Sequence, residues 1–110
     1  MRHNVFLTDS AVSDIMDIWR HIATCDSEAA ADKVKDSIKK SVGELSLMPL
    51  RGHFPPELER IGVFDYREIH CKPWRIIYLP KESDVYVIAA LDGRRDIRDI
   101  LSRRLLKFNA

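Results

Sequence analysis

The chain has 110 residues, 45% of them apolar, which is enough for one hydrophobic core, so residues 1–110 are expected to form one domain. No apolar signal region opens the chain and no apolar run approaches the ~20 residues of a membrane span, so a soluble, cytoplasmic protein is expected. Cys25 and Cys71 are too few for a disulfide framework and are not spaced as metal ligands, and we predict no metal or cofactor.

The net charge of +1 conceals an asymmetry along the chain. Residues 1–50 carry six Lys or Arg against eight Asp or Glu, whereas residues 51–110 carry twelve against nine. The segment 94–107 alone has six basic and two acidic residues. Positive potential is therefore concentrated near the C-terminus, where it would steer an anionic partner.

The first half of the chain predicts one strand and two helices. Residues 3–8 are typical of a strand, and Thr8 or Asp9 can cap a helix that runs to about residue 23. Asp26 or Ser27 can cap a second helix, which Pro49 would end. Helical periodicity gives the first helix an apolar face of Val12, Ile15, Trp19 and Ile22, and the second a face of Ala31, Val34, Ile38, Val42 and Leu45. The short link between them predicts an antiparallel helical hairpin.

The second half predicts a loop, three strands and a helix. Gly and Pro punctuate residues 50–62, and strands are expected near residues 63–71, 74–79 and 85–91. Their links are of hairpin length, which predicts an antiparallel meander. Residues 96–108 are typical of a final helix with the apolar face Ile97, Ile100, Leu101, Leu105 and Phe108. The predicted order is β-α-α-β-β-β-α, an α+β fold.

Arginines recur on or just after the predicted strands. Because side chains alternate between the two faces of a strand, Arg67 shares a face with Ile69, and Arg75 shares one with Ile77. We expect Arg67 and Arg75 to lie on the same side of the sheet, within ~10 Å of each other, since paired strands bring side chains this close. Such a patch would bind an anionic group.

These segments together resemble toxins of the RelE/ParE family of bacterial toxin–antitoxin modules. The resemblance rests on the order and spacing of six pieces: Asn4 to Thr8, Ala11 to Ile15, Leu45 to Gly52 with Pro49 between them, Tyr66 to Ile69, Arg75 to Tyr78, and Gly93 to Asp96 before a Leu- and Arg-rich ending. The resemblance implies a helical hairpin packed on one face of a small twisted antiparallel sheet, with the other face partly open. It also implies a cognate antitoxin as partner, and it allows a hetero-tetramer of toxin and antitoxin.

The resemblance leaves two principal functions open. Ribonuclease members of the family stabilise the transition state with cations, and Arg67, Arg75 and Arg95 match the positions of those cations. In this chain, His70 or His53 would have to serve as the base. Such members place a tyrosine or histidine where this chain has Leu101, and often a histidine at the position of Asp92. The departures favour the ParE-like branch, whose toxins inhibit DNA gyrase without cutting RNA.

We therefore predict a growth-inhibiting toxin of a plasmid-stabilisation module that acts on gyrase. The alternatives are a metal-independent, ribosome-dependent mRNA endonuclease, and an inactive module with the toxin fold that only binds its antitoxin. The target-binding residues are predicted to be Arg94, Arg95, Arg98, Arg103 and Arg104. The antitoxin-binding residues are predicted to be Trp74, Arg75, Ile76 and Tyr78.

Overall fold

The computed structural model describes residues 2–95 and 97–108, and the side chains up to residue 104. The elements are β1 Asn4–Leu7, α1 Asp9–Cys25, α2 Glu28–Glu44, α3 Pro56–Glu59, β2 Arg67–Cys71, β3 Trp74–Lys81, β4 Asp84–Asp92 and α4 Arg98–Phe108. This confirms the α+β class and the predicted order, with the short α3 added in the predicted loop. The position of Asp96 and the predicted apolar contacts of Leu105 and Phe108 lie outside the described part.

The sheet is mixed, with strand order β1-β4-β3-β2. Strands β2, β3 and β4 form the predicted antiparallel meander, but β1 pairs with β4 in parallel, so the sheet is mixed and not antiparallel throughout. The helical hairpin and the loop after it form a crossover long enough to start β2 in the same direction as β1. Two hairpin turns later, β4 again has that direction.

The helical hairpin packs on one face of the sheet. Thr8 and Ser27 cap the two helices by accepting hydrogen bonds from the backbone N–H groups three residues on, at 3.2 and 3.0 Å. The apolar face of α1 is turned by one residue from the prediction, because Ala11 and Ile18 are buried while Val12 is 47% exposed. The helix α2 ends at Glu44, before Pro49, although the predicted Leu45 is still part of the core.

The opposite face of the sheet is covered by α4 at the end where β4 finishes. The apolar cluster there contains Leu58, Tyr66, Ile77, Ile88, Ala89, Leu91, Ile97, Ile100 and Leu101. Both faces of β3 and β4 are therefore buried, which explains why these strands are apolar at nearly every position.

A bulge in β4 marks the point where pairing with β1 gives way to side-chain contacts along that edge, while pairing with β3 continues to Asp92. Val87 pairs with Tyr78 and Ala89 with Ile77, so Ile88 is the extra residue. Pairing with β1 also ends at Val87. Beyond it the backbone of β4 is bonded by side chains: Asp14 accepts from the Ala90 N–H at 3.0 Å, and Arg104 donates to the Ile88 carbonyl at 3.1 Å. These side chains cover an edge that would otherwise be open to another strand.

Among the helices in the described part of the chain, none combines the length and apolar character needed to cross a membrane.

Candidate functional site

The two strand arginines lie on opposite faces of the sheet, so the predicted convergence of Arg67 and Arg75 was wrong. The tight turn pairs Cys71 with Trp74, which places His70 opposite Arg75 and leaves Arg67 opposite Tyr78. Directly paired residues share a face, and Arg67 is three residues from His70. The odd separation puts Arg67 on the helical-hairpin side and Arg75 on the α4 side.

Arg75 is buried and its guanidinium is bonded to two carboxylates. Its Nε donates to Glu68 at 2.7 Å, while its Nη1 and Nη2 donate to the two oxygens of Glu57 at 2.7 and 2.8 Å. The Arg75 side chain is 8% exposed and that of Glu68 only 2%. The hydrogen bonds that Arg75 donates to Glu57 raise the pKa of Arg75 above its ordinary value, with help from Glu68 and against the effect of burial. Burial and these two carboxylates leave its guanidinium little capacity to bind a phosphate.

Arg67 fastens the loop after α2 to β2. Its Nη1 donates to the carbonyl of Gly52 at 2.8 Å and to that of Leu50 at 3.2 Å. Its guanidinium carbon lies 4.6 Å from the centre of the Phe54 ring, a cation–π distance. A cavity of about 540 Å³ opens beside it, lined also by Phe64, Leu79 and Lys81. Arg67 therefore has a structural role in this conformation.

The two histidines proposed as bases do come together, around Glu68. The Nε2 atoms of His53 and His70 lie 2.9 and 3.5 Å from Glu68 Oε1, and their ring centres are 5.1 Å apart. They share the face of Arg75, whose Nη1 also donates weakly to the Arg95 carbonyl at 3.4 Å. Two carboxylates surround one guanidinium here, so the local field opposes an anionic substrate.

Four of the five arginines predicted to bind the target are exposed, at Arg94, Arg95, Arg98 and Arg103. Arg94 is 92% exposed and pairs with Asp92, and this hydrogen bond lowers the pKa of the Asp92 carboxyl below its ordinary value.

Arg104 is the exception among the predicted target-binding residues. It binds both oxygens of Asp14 at 2.6 and 2.8 Å and is 20% exposed. Its sequence neighbourhood looked like that of the other arginines, but the guanidinium ties α4 to α1 and to β4.

The predicted antitoxin-binding residues lie mostly inside the protein. Ile76 and Tyr78 have no exposed surface and Arg75 is 6% exposed, so only Trp74 of the four offers surface to a partner. The Tyr78 hydroxyl accepts a hydrogen bond from the Gly52 N–H at 3.0 Å. The prediction failed because the helical hairpin covers the sheet face on which Ile76 and Tyr78 lie.

An apolar groove occurs instead on the helical hairpin. It has a volume of about 210 Å³ and is lined by Leu7, Val12, Ile15, Met16, Ile38 and Val42, with Lys35 and Lys39 at its rim. Leu7 and Val12 are 39% and 47% exposed. Sequence reasoning missed this groove because Val12 was assigned to the buried face of α1.

Sequence reasoning also missed the carboxylates Glu57, Glu68 and Asp14. For Glu68 a signal exists: it is a charged residue on a strand beside apolar positions, where an unpaired charge is costly and a cationic partner is to be expected. Glu57 and Asp14 are far from Arg75 and Arg104 in sequence, and no local pattern predicts those pairs.

The fold and sequence place this chain in a known class of toxins. A family model described as the ParE toxin of the type II toxin–antitoxin system parDE matches residues 5–97. Since this is most of the chain, the chain belongs to the ParE toxin family, as the resemblance of its motifs predicted. Among proteins of curated function, none is significantly similar in sequence.

Solved structures share the fold at low sequence identity. One from the chromosomal ParDE toxin–antitoxin system of P. aeruginosa has a TM-score of 0.69 at 16% identity, covering 83% of this chain and 96% of that one. A double mutant of the E. coli toxin RelE in the free state has a TM-score of 0.58 at 15% identity, covering 97% and 98%. At such identities the likeness concerns the fold alone.

Proposed function

We propose that this toxin inhibits DNA gyrase by protein contact and is neutralised by a cognate antitoxin. The observation that carries the choice of gyrase over RNA is the state of Arg75. Its guanidinium is held by Glu57 and Glu68, and Arg67 is on the other face of the sheet. Arg67 and Arg75 therefore do not form the converging pair that phosphate binding on this sheet would use.

The surface proposed to contact gyrase is the turn after β4 together with the exposed side of α4. Arg94, Arg95, Arg98 and Arg103 are exposed there. A group of surface arginines attracts an anionic partner and so speeds their encounter. The same arginines donate hydrogen bonds to carboxylates at the interface. Arg104 is left out of this surface because Asp14 already holds it.

The apolar groove on the helical hairpin is the surface proposed for the antitoxin. Its walls are aliphatic, and Lys35 and Lys39 stand at its rim. An amphipathic segment fits such a groove when it brings apolar side chains to the walls and acidic ones to the two lysines. A disordered segment that folds on binding would cover this and neighbouring exposed apolar residues.

Induction in cells tests the gyrase proposal. We expect a DNA-damage response before protein synthesis falls, and we expect Arg94→Ala/Arg95→Ala to abolish toxicity. Arg20→Ala/Arg60→Ala is the matched control, since it removes two exposed arginines from other parts of the surface. Toxicity that survives Arg94→Ala/Arg95→Ala contradicts the proposed gyrase surface.

A point change in the groove tests the antitoxin proposal. Val12→Glu places a charge among the aliphatic walls, whereas Ser13→Glu adds the same charge at the neighbouring exposed position. We expect co-purification with the product of the adjacent gene to be lost for Val12→Glu and kept for Ser13→Glu. Retention by both variants contradicts the groove as the antitoxin surface.

One observation favours the second candidate, a ribosome-dependent mRNA endonuclease. His53 and His70 meet on the face that also holds Arg75, so a base and a cation are close together. Under our proposal, His53→Gln/His70→Gln leaves toxicity almost intact. For a nuclease, loss of an essential base costs ~10²–10⁴-fold in rate, and that loss would promote this candidate. If the wild-type chain shows no toxicity at all, that result supports the third alternative, an inactive module that only binds its antitoxin.

A further inference from the structure

Three potential metal ligands, far apart in sequence, meet on the α4 side of β2. His53 lies in the loop before α3 and forms an antiparallel backbone bridge with Glu68, with hydrogen bonds of 3.1 and 2.7 Å between the two residues. Bridged residues point their side chains to the same face, and so do residues two apart on a strand. The backbone thus brings His53, Glu68 and His70 together without help from side-chain packing.

The donor atoms are separated by distances that suit a single ion. One nitrogen of each histidine and one oxygen of Glu68 all lie within 4.8 Å of one another. In a tetrahedral site with bonds of about 2.0–2.1 Å, ligand atoms lie roughly 3.3 Å apart. The Nε2–Oε1 distances of 2.9 Å for His53 and 3.5 Å for His70 lie on either side of that value. Both histidines are about half exposed, so their rings can turn to close the third distance.

The carboxylate of Glu68 is held in the orientation that an ion would need. Arg75 binds Oε2 at 2.7 Å and leaves Oε1 directed at the histidines, and Glu57 in turn holds Arg75. Metal-binding carboxylates are commonly fixed by hydrogen bonds of this kind from a second layer of residues. Because Glu68 is only 2% exposed, its carboxylate loses little freedom when it binds an ion.

The donor set indicates which class of ion would bind. Two imidazole nitrogens and one carboxylate oxygen suit Zn²⁺ and its neighbours, whereas Mg²⁺ and Ca²⁺ prefer oxygen ligands. Three protein ligands at a partly exposed site leave a fourth position for water or for a partner's side chain.

We propose that His53, Glu68 and His70 form a binding site for a divalent transition-metal ion, with Zn²⁺ as the best-fitting occupant. In the structure, His53 Nε2 forms a hydrogen bond with Glu68 Oε1. The ion displaces the proton of this hydrogen bond, which moves to His53 Nδ1 or to solvent. Binding would join the loop between α2 and β2 to the sheet. The site is independent of the gyrase proposal, because it uses neither the exposed arginines nor the apolar groove.

The test is a titration of untagged, chelator-treated protein with Zn²⁺, followed by calorimetry. We expect one ion per chain, and we expect affinity to fall by at least about tenfold in His53→Gln and in His70→Gln, the lower end of the loss seen when even a supporting residue is removed. His21→Gln is the control, because His21 Nδ1 and Cys25 Sγ lie 3.9 Å apart on α1 and could bind Zn²⁺ there instead. Wild-type affinity in both His53→Gln and His70→Gln, loss in His21→Gln alone, or no saturable binding overturns the proposal.

Two further measurements separate metal binding from general damage to the fold. Saturating Zn²⁺ should raise the melting temperature of the wild-type chain by mass action and leave that of His53→Gln/His70→Gln unchanged. Co²⁺ should give the visible absorption of a four-coordinate ion in the wild type and lose it in the double variant. An equal rise in melting temperature for both proteins contradicts the site.

Discussion

Arginines in two regions of this toxin have opposite surroundings. On β3 and late in α4, Arg75 and Arg104 are held by Glu57, Glu68 and Asp14. In the turn after β4, Arg94 is 92% exposed and its partner Asp92 is itself at the surface. The comparison shows that the element on which an arginine lies does not determine whether it is buried in an ion pair or exposed. The carboxylates that neutralise a buried arginine come from distant parts of the chain.

The largest effect on stability is expected at Arg75. Arg75→Met leaves the buried Glu68 carboxylate without its cation, and breaking a buried pair in this way costs about 3–5 kcal/mol. Urea denaturation measures the change in the free energy of unfolding. Arg94→Met is the control and should change it by less than about 0.5 kcal/mol, as for most surface positions. Similar values for the two variants would erase the distinction between the regions.

A smaller loss is expected at Arg104. Arg104→Met removes a bidentate bond to Asp14 and a bond to the Ile88 carbonyl, and hydrogen bonds to charged groups contribute about 1.5–3 kcal/mol. Arg103→Met is the neighbouring control, since Arg103 is exposed and donates to the Asp99 carbonyl at 3.4 Å. If Arg103→Met costs as much as Arg104→Met, the assignment of Arg104 as a tie between elements is wrong.

The smallest expected effect is electrostatic and lies in the exposed turn. The hydrogen bond from Arg94 lowers the pKa of the Asp92 carboxyl from 3.8, so the pair stabilises the fold above that pH and the contribution is lost as pH falls through the lower folded value. Arg94→Met should return the pKa towards 3.8, measured by NMR titration of the carboxyl carbon. Arg95→Met should shift it less, because Arg95 acts only through its charge. Equal shifts would contradict the assignment.

The elements were predictable because their signals are local. Thr8 and Ser27 were both among the predicted caps, and the tight turns fixed the meander. The parallel pairing of β1 was not predictable in this way, since the residues of β4 that pair with it lie eighty positions further along the chain. Strand periodicity also gave the right alternation on β2 and β3 but not the register between them, and that register separates Arg67 from Arg75.

The candidate sites were harder to predict than the fold. The helical hairpin buries Ile76 and Tyr78. The sequence predicted that the hairpin packs on the sheet, but not which side chains of the sheet it covers. His53 was identified as a titratable residue, but its meeting with Glu68 depends on a backbone bridge formed by a loop. Such long-range contacts leave no periodic trace in a single sequence.

The most direct test of the account compares two activities of the purified toxin side by side. Supercoiling by purified gyrase and cleavage of ribosome-bound mRNA are assayed with the wild type, Arg94→Ala/Arg95→Ala and His53→Gln/His70→Gln. We predict that the wild type and the histidine variant inhibit supercoiling, that the arginine variant does not, and that mRNA stays intact in every case. Ribosome-dependent cleavage with unaffected supercoiling would contradict the account.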